Sequence, residues 1–241
     1  MAPTLKDLRV LVTGASRGLG RGLTEALLGH GATVLALARS GPELQQLAEA
    51  NAAKPEPRGR LLIQVGSMLD ALVWEQAIQQ LQQQAGGLDL LIANAGVYGP
   101  RQPFQTADSS AWEEALLING LGLSRSCPAC IPALAAAERG QILVVGSAIG
   151  HTQARHSSAY AASKALSWSL VKNLSLDLEP LGIAVNELIP GPVNTAMNPG
   201  AANLAFCRQP DDAAFANLVA YLCSCPGQLP SGQSFSLRPS P

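Results

Sequence analysis

Seven short apolar runs, separated by longer periodic stretches, leave this chain few folds to adopt. The runs are Arg9–Thr13, Thr33–Ala38, Leu61–Val65, Leu88–Ala93, Gln141–Gly146, Ile183–Ile189 and Ser234–Leu237. Most are apolar on both faces, as expected for parallel strands buried under helices on each side. Helix-like patterns between them span Leu19–His30, Pro42–Asn51, Leu69–Ala85, Ala111–Leu134, Ser158–Leu178 and Asp211–Cys223. Gly31 stands where the first of these should stop. Strand and helix in alternation predict an α/β fold with right-handed crossovers. A chain of 241 residues suffices for one full core, so residues 1–241 are expected to form a single domain. Lys54–Gly59 reads as a surface loop within it.

Composition removes several function classes. The chain is 47% hydrophobic and 14% charged, which excludes a disordered polymer. Its net charge of −1 leaves no basic excess for the phosphates of a nucleic acid. The longest uncharged stretch, Leu188–Cys207, is broken by Pro190, Gly191, Pro192, Pro199 and Gly200 and cannot span a membrane. Met1–Asp7 has no apolar signal region, and five cysteines fit a reducing compartment, so a cytoplasmic location is expected. Cys127 and Cys130 have redox-motif spacing but fall inside a helical pattern, where thiols pack as small apolar groups. No metal site is expected.

The first run leads into Thr13-Gly14-Ala15-Ser16-Arg17-Gly18-Leu19-Gly20. Glycines at 14, 18 and 20 allow a tight turn and a close backbone approach to a pyrophosphate, and the helix opening there offers unpaired N–H groups and a positive dipole end. A strand–turn–helix context is what this motif requires. The second run ends in Arg39-Ser40, without Asp or Glu. An acid there would hold a ribose 2′-hydroxyl, whereas an arginine accommodates a 2′-phosphate. Arg17 could meet the same dianion from the other side. NADP(H) is therefore favoured over NAD(H); the plain alternative is two solvated arginines.

Tyr160 and Lys164 are four residues apart, hence on one face of a helix. A nearby ammonium stabilises a phenolate and should lower the tyrosine pKa, making Tyr160 a general acid or base. Ser147 follows the fifth run, at the strand edge where open parallel sheets bind ligands. Its hydroxyl could hold a substrate oxygen or merely cap a turn.

With these residues in view, the sequence resembles the short-chain dehydrogenases/reductases from Arg9 to Leu237. The resemblance rests on Thr13–Gly20, Asn94-Ala95-Gly96, Asn119, Ser147, Tyr160 with Lys164, Pro190-Gly191 and Thr195, and Ser231–Leu237 looks like the closing strand of the 3-oxoacyl-carrier-protein-reductase-like branch. It implies a Rossmann-type doubly wound sheet of about seven parallel strands in three α/β/α layers. It implies that Tyr160 protonates a carbonyl oxygen, Lys164 lowers its pKa and holds the nicotinamide ribose, Ser147 positions the carbonyl, and Asn119 anchors a proton-carrying water. Gly14, Ser16, Arg17, Gly18, Leu19, Gly20, Arg39, Ser40, Gly66, Ser67, Asn94, Ala95, Gly96, Pro190, Gly191, Val193 and Thr195 would line the cofactor. A homodimer or homotetramer would pair through the helices near Ala111–Leu134 and Ser158–Leu178. One departure is Gly66, where many members place an Asp against adenine; Ser67 is the candidate replacement.

Val97–Pro103, Ala148–His156 and Pro192–Cys207 should line the substrate pocket, with 192–210 as a short lid that would admit a small-molecule or carrier-tethered carbonyl compound. Tyr98 and His151, with His156, are candidate substrate contacts; Arg101 and Arg155 could receive an acidic group or be solvated charges. The expected activity is NADPH-dependent reduction of a ketone to a secondary alcohol, with Tyr160 as general acid. The alternatives are NADP-dependent alcohol oxidation and a non-catalytic dinucleotide-sensing or scaffold protein.

Overall fold

Parallel strands in the order β3-β2-β1-β4-β5-β6-β7 make one sheet. The computed structural model describes residues 5–54, 59–198, 200, 203–204, 207–224 and 230–237. Residues 55–58 of the predicted surface loop, residues 199, 201–202 and 205–206 of the lid, and the tail beyond Leu237 lie outside that set.

The strands are β1 (Arg9–Thr13), β2 (Thr33–Ala38), β3 (Arg60–Val65), β4 (Leu90–Ala93), β5 (Gln141–Val145), β6 (Ala184–Ile189) and β7 (Ser234–Ser236). The helices are α1 (Gly18–Gly29), α2 (Gly41–Ala52), α3 (Ala71–Ala85), α4 (Ser109–Leu116), α5 (Gly122–Ala135), α6 (Ser158–Asp177) and α7 (Ala213–Ser224). Successive β1 residues feed opposite cores. Val10 and Val12 pack with Leu23, Leu27, Phe215 and Val219, and Leu11 packs with Trp74, Leu91, Val171 and Val185. This two-sided burial is why the strands read as continuous apolar runs.

Local chemistry ends the helices where expected. Gly31 takes a left-handed φ of +96° after α1, and Asp70 caps α3 by accepting from Leu72 N–H at 3.0 Å. The single helix expected over Ala111–Leu134 differs: α4 and α5 are joined by a π-helical turn, Leu117–Leu121. Its cause is not local. Asn119 Oδ1 accepts from Val97 N–H (2.8 Å), and Asn119 Nδ2 donates to Val97 O (2.7 Å) and Ser163 Oγ (2.9 Å). Drawing that side chain toward the loop after β4 takes up one extra residue in the helix. π-Bulges of this kind concentrate at functional sites.

β6 also departs from expectation. The run is not apolar throughout, because Asn186 and Glu187 are both buried within it. Sequence order reverses between β1 and β4, so a crevice opens at the carboxyl ends of the central strands.

Among the described residues no helix is long and apolar enough to cross a membrane, and no cluster of metal-ligating side chains is present.

Candidate active site

The crevice is a cleft of about 1170 Å³. One end is built by the glycine turn. Gly14 has φ +66°, and a Cβ there would lie 2.8 Å from Ala95 Cα. A Cβ on Gly20 would lie 2.3 Å from Gly14 O. Asn94 clasps this turn to β4: its Nδ2 donates to Thr13 O at 2.9 Å, while Thr13 Oγ1 accepts from the N–H groups of Asn94 and Ala95, each at 3.0 Å. The N-terminus of α1 has no side-chain cap and no acid in its first turn. Its N–H groups therefore face the cleft without a competing carboxylate, an arrangement suited to an anion.

Gly14, Ser16, Arg17, Gly18, Leu19, Gly20, Arg39, Ser40, Gly66, Ser67, Asn94, Ala95, Gly96, Pro190, Gly191, Val193 and Thr195 all line this cleft, together with Tyr98, Ser147, Tyr160 and Lys164. Glu43, in the first turn of α2, lines it beside Arg39. Sequence reasoning missed it, although an acid four residues past Arg39 was visible. Gly66 is explained by packing: a Cβ there would sit 2.4 Å from Val73 Cγ2. Ser67 Oγ already accepts from Leu69 N–H at 3.2 Å.

At the other end Tyr160 and Lys164 share one face of α6, with Lys164 Nζ 5.8 Å from the Tyr160 ring centroid. Lys164 is buried, and its Nζ donates to Val145 O at 2.7 Å. Burial lowers its pKa from 10.5 to about 8, against the pull of Glu187. Tyr160 departs from the expected lowering. Burial pushes its pKa up to about 12, outweighing the hydrogen bond to Ser147 and the charge of Arg101, which both lower it. The ammonium is committed to the end of β5, so desolvation of the phenol dominates.

Ser147 caps the turn Ala148–Gly150, accepting from Ile149 N–H at 3.4 Å, and still lines the cleft. Asn119 lies one layer below. It and Lys164 line a void of about 10 Å³, room for about one water.

The Tyr98 ring stacks on Tyr160, and Tyr98 Oη shares a 3.1 Å hydrogen bond with Ser157 Oγ. Arg101 lies over the outer face of Tyr98 at 3.8 Å and donates to Met197 O at 2.7 Å, joining this stack to the lid. Arg101 is exposed and outside the cleft lining, a solvated charge that also bonds the lid.

His151 is not brought to the cleft. Its Nε2 bonds Glu187 Oε2 at 2.9 Å, and its ring rests 5.0 Å from that of Trp168. Glu187 itself was not anticipated, although an acid inside the run Ile183–Ile189 was a visible anomaly. Cys127 and Cys130 are buried in the core, and burial raises both thiols, Cys127 to about 11. Cys223 carries no described side chain, and Cys225 lies outside the described residues.

A doubly wound parallel sheet with this cleft at its switch point is the architecture of a Rossmann-type nucleotide-binding fold. Residues 9–203 match the short chain dehydrogenase family model, and the chain belongs to the short-chain dehydrogenase/reductase family. An uncharacterized oxidoreductase of Myxococcus xanthus is 35% identical over 193 residues, 78% of this chain and 72% of that protein. The 3-oxoacyl-acyl-carrier-protein reductase FabG of Escherichia coli is 29% identical over 187 residues, covering 78% and 74%. An Escherichia coli CFT073 protein solved with NADPH superposes with a TM-score of 0.86 at 26% identity, over 99% of this chain and 100% of that one.

Proposed function

We propose that this protein reduces a ketone to a secondary alcohol with NADPH, and that Tyr160 donates the proton. The observation that carries this reading is the placement of Tyr160, Ser147 and Lys164 together on the wall of the cleft, with Lys164 Nζ 5.8 Å from the Tyr160 ring. A phenol that keeps its proton is ready to give it to an oxyanion as charge develops there.

The residues present fit a dinucleotide: a glycine turn packed too tightly at Gly14 and Gly20 to admit a Cβ, the uncapped α1 N-terminus, and two guanidiniums, Arg17 and Arg39, on the cleft wall. The dinucleotide supplies the hydride when bound. The remaining work falls to the chain. Arg17 and Arg39 would bind a 2′-phosphate by charge-assisted hydrogen bonds. Ser147 would orient the carbonyl oxygen, and Tyr160 would pass its proton to that oxygen. Lys164 would hold ribose hydroxyls, and Asn119 would keep the loop after β4 and the void beneath Lys164 in place.

Tyr98, Ile149, Thr152, Ala154 and Met197 line the cleft with Tyr160, and the Arg101 guanidinium lies over Tyr98 and bonds Met197 O, so a carbonyl compound bound there would lie near one positive charge.

Purified protein mixed with NADPH and a panel of ketones, followed by absorbance of the reduced nicotinamide, tests the reading. Turnover of at least one ketone is expected; tight NADPH binding without turnover of any would favour the sensing alternative.

A further inference from the structure

Glu187 is a buried acid that the reaction above does not use. It lies in the middle of β6, with its side chain 1% exposed. Two donors hold one of its oxygens: His151 Nε2 at 2.9 Å, and the hydroxyl of Ser234, its register partner on β7. The other oxygen, Oε1, is buried without a hydrogen bond. Gly146 makes room for it, since a Cβ at 146 would fall 1.8 Å from Oε1. The residue before Ser147 is therefore a glycine because the carboxylate reaches over it.

A buried carboxylate oxygen without a donor is costly unless an opposite charge lies close by. The buried cation of this region is Lys164. It donates to Val145 O, one residue before Gly146, and its backbone packs on Gly150, next to His151. We propose that Glu187 is a positioning residue of the active site, its carboxylate held by His151 and Ser234 so as to keep the ammonium of Lys164 charged in a desolvated pocket. This role for Lys164 rests on the function proposed above.

Other charges do not offer the same service. The elements packed against α6 carry His151 on the turn after β5, Glu113 and Glu114 on α4, Glu179 beyond the helix end, and Glu187 on β6. The helix itself carries Tyr160, Lys172 and Asp177. Glu113, Glu114, Lys172, Asp177 and Glu179 are all exposed, where solvent screens them. Burial lowers the Lys164 pKa, and the carboxylate of Glu187, lying over Gly146 next to the Val145 carbonyl that Lys164 Nζ bonds, opposes that lowering.

The test reads Lys164 in the free protein, without turnover. The chain has few lysines, so 15N-labelled lysine gives few Nζ signals, and the one lost in Lys164→Arg is Lys164. In Glu187→Gln the midpoint of its titration should fall by about one pH unit, the lower end of what removing a nearby opposite charge gives. In Glu187→Asp, which keeps the charge, it should stay nearer the original value. Glu187→Met, which needs no donor, gives the same reading if the buried amide prevents folding. The alkaline limb of kcat/KM should move down with the lysine midpoint. An unchanged midpoint in the neutral variants, or one equally lowered in Glu187→Asp, overturns the proposal. Absence of ketone turnover in the unsubstituted protein would overturn the proposed function instead, while the lysine titration would still decide the part played by Glu187.

Discussion

The ring of Tyr98 lies flat on that of Tyr160, with centroids 4.4 Å apart and planes 11° from parallel. Offset aromatic pairs contribute about 0.5–1.5 kcal/mol beyond their buried area. If that stack holds the phenol in its reactive orientation, Tyr98→Ala should lower kcat roughly twofold to tenfold. Tyr98→Phe keeps the ring and loses only the bond to Ser157, so steady-state rates should stay close to those of the unsubstituted protein.

Lys164 gives the fold a pH signature. Its pKa is about 8 when buried and 10.5 ordinarily. Between those values the unfolded chain binds more protons, so this group's contribution to stability rises with pH across that window. Below pH 8 its desolvation cost is fully present. Lys164→Met removes a cost of about 3 kcal/mol, a net figure that already includes the favourable charge of Glu187. Urea unfolding should show the variant's advantage at pH 7.5 shrinking toward pH 10. The window stops there because Tyr160, raised from 10 to about 12, acts in the opposite direction above pH 10.

Gly66 should resist conversion to the aspartate common at that place in the family. The new Cβ would meet Val73 Cγ2 at 2.4 Å, and overpacking of this kind costs about 1–3 kcal/mol. Gly66→Asp alone should lower the thermal midpoint. Gly66→Asp combined with Val73→Ala should recover part of that loss.

Cofactor choice rests on Arg39. Hydrogen bonds to a charged group contribute about 1.5–3 kcal/mol, so Arg39→Asp should weaken NADPH binding roughly tenfold or more and improve NADH binding. Fluorescence titration of both nucleotides checks this. Unchanged NADPH affinity would contradict the charge argument for a 2′-phosphate at Arg39.

What was legible in the sequence follows from what is local. β1 and β2 match the predicted runs residue for residue, because every position from Val10 to Val12 and from Val34 to Ala38 is buried. The glycine turn and the Tyr160–Lys164 face were legible because spacing alone sets them. Three features were not. The π-helical turn depends on Asn119 reaching Val97, 22 residues back. The raised pKa of Tyr160 comes first from its burial, which the tertiary fold sets and no i,i+4 rule contains. His151 was read as a substrate contact because its loop borders the pocket; only the distant Glu187 shows where its ring is held.

The account depends most on Tyr160 as proton donor, and the direct test is the rate of ketone reduction by Tyr160→Phe under saturating NADPH. Phenylalanine keeps the stack on Tyr98 and removes only the transferable proton, so kcat should fall by roughly a hundredfold to ten-thousandfold while NADPH binding is retained. A variant that reduced the ketone at the unsubstituted rate would contradict the account.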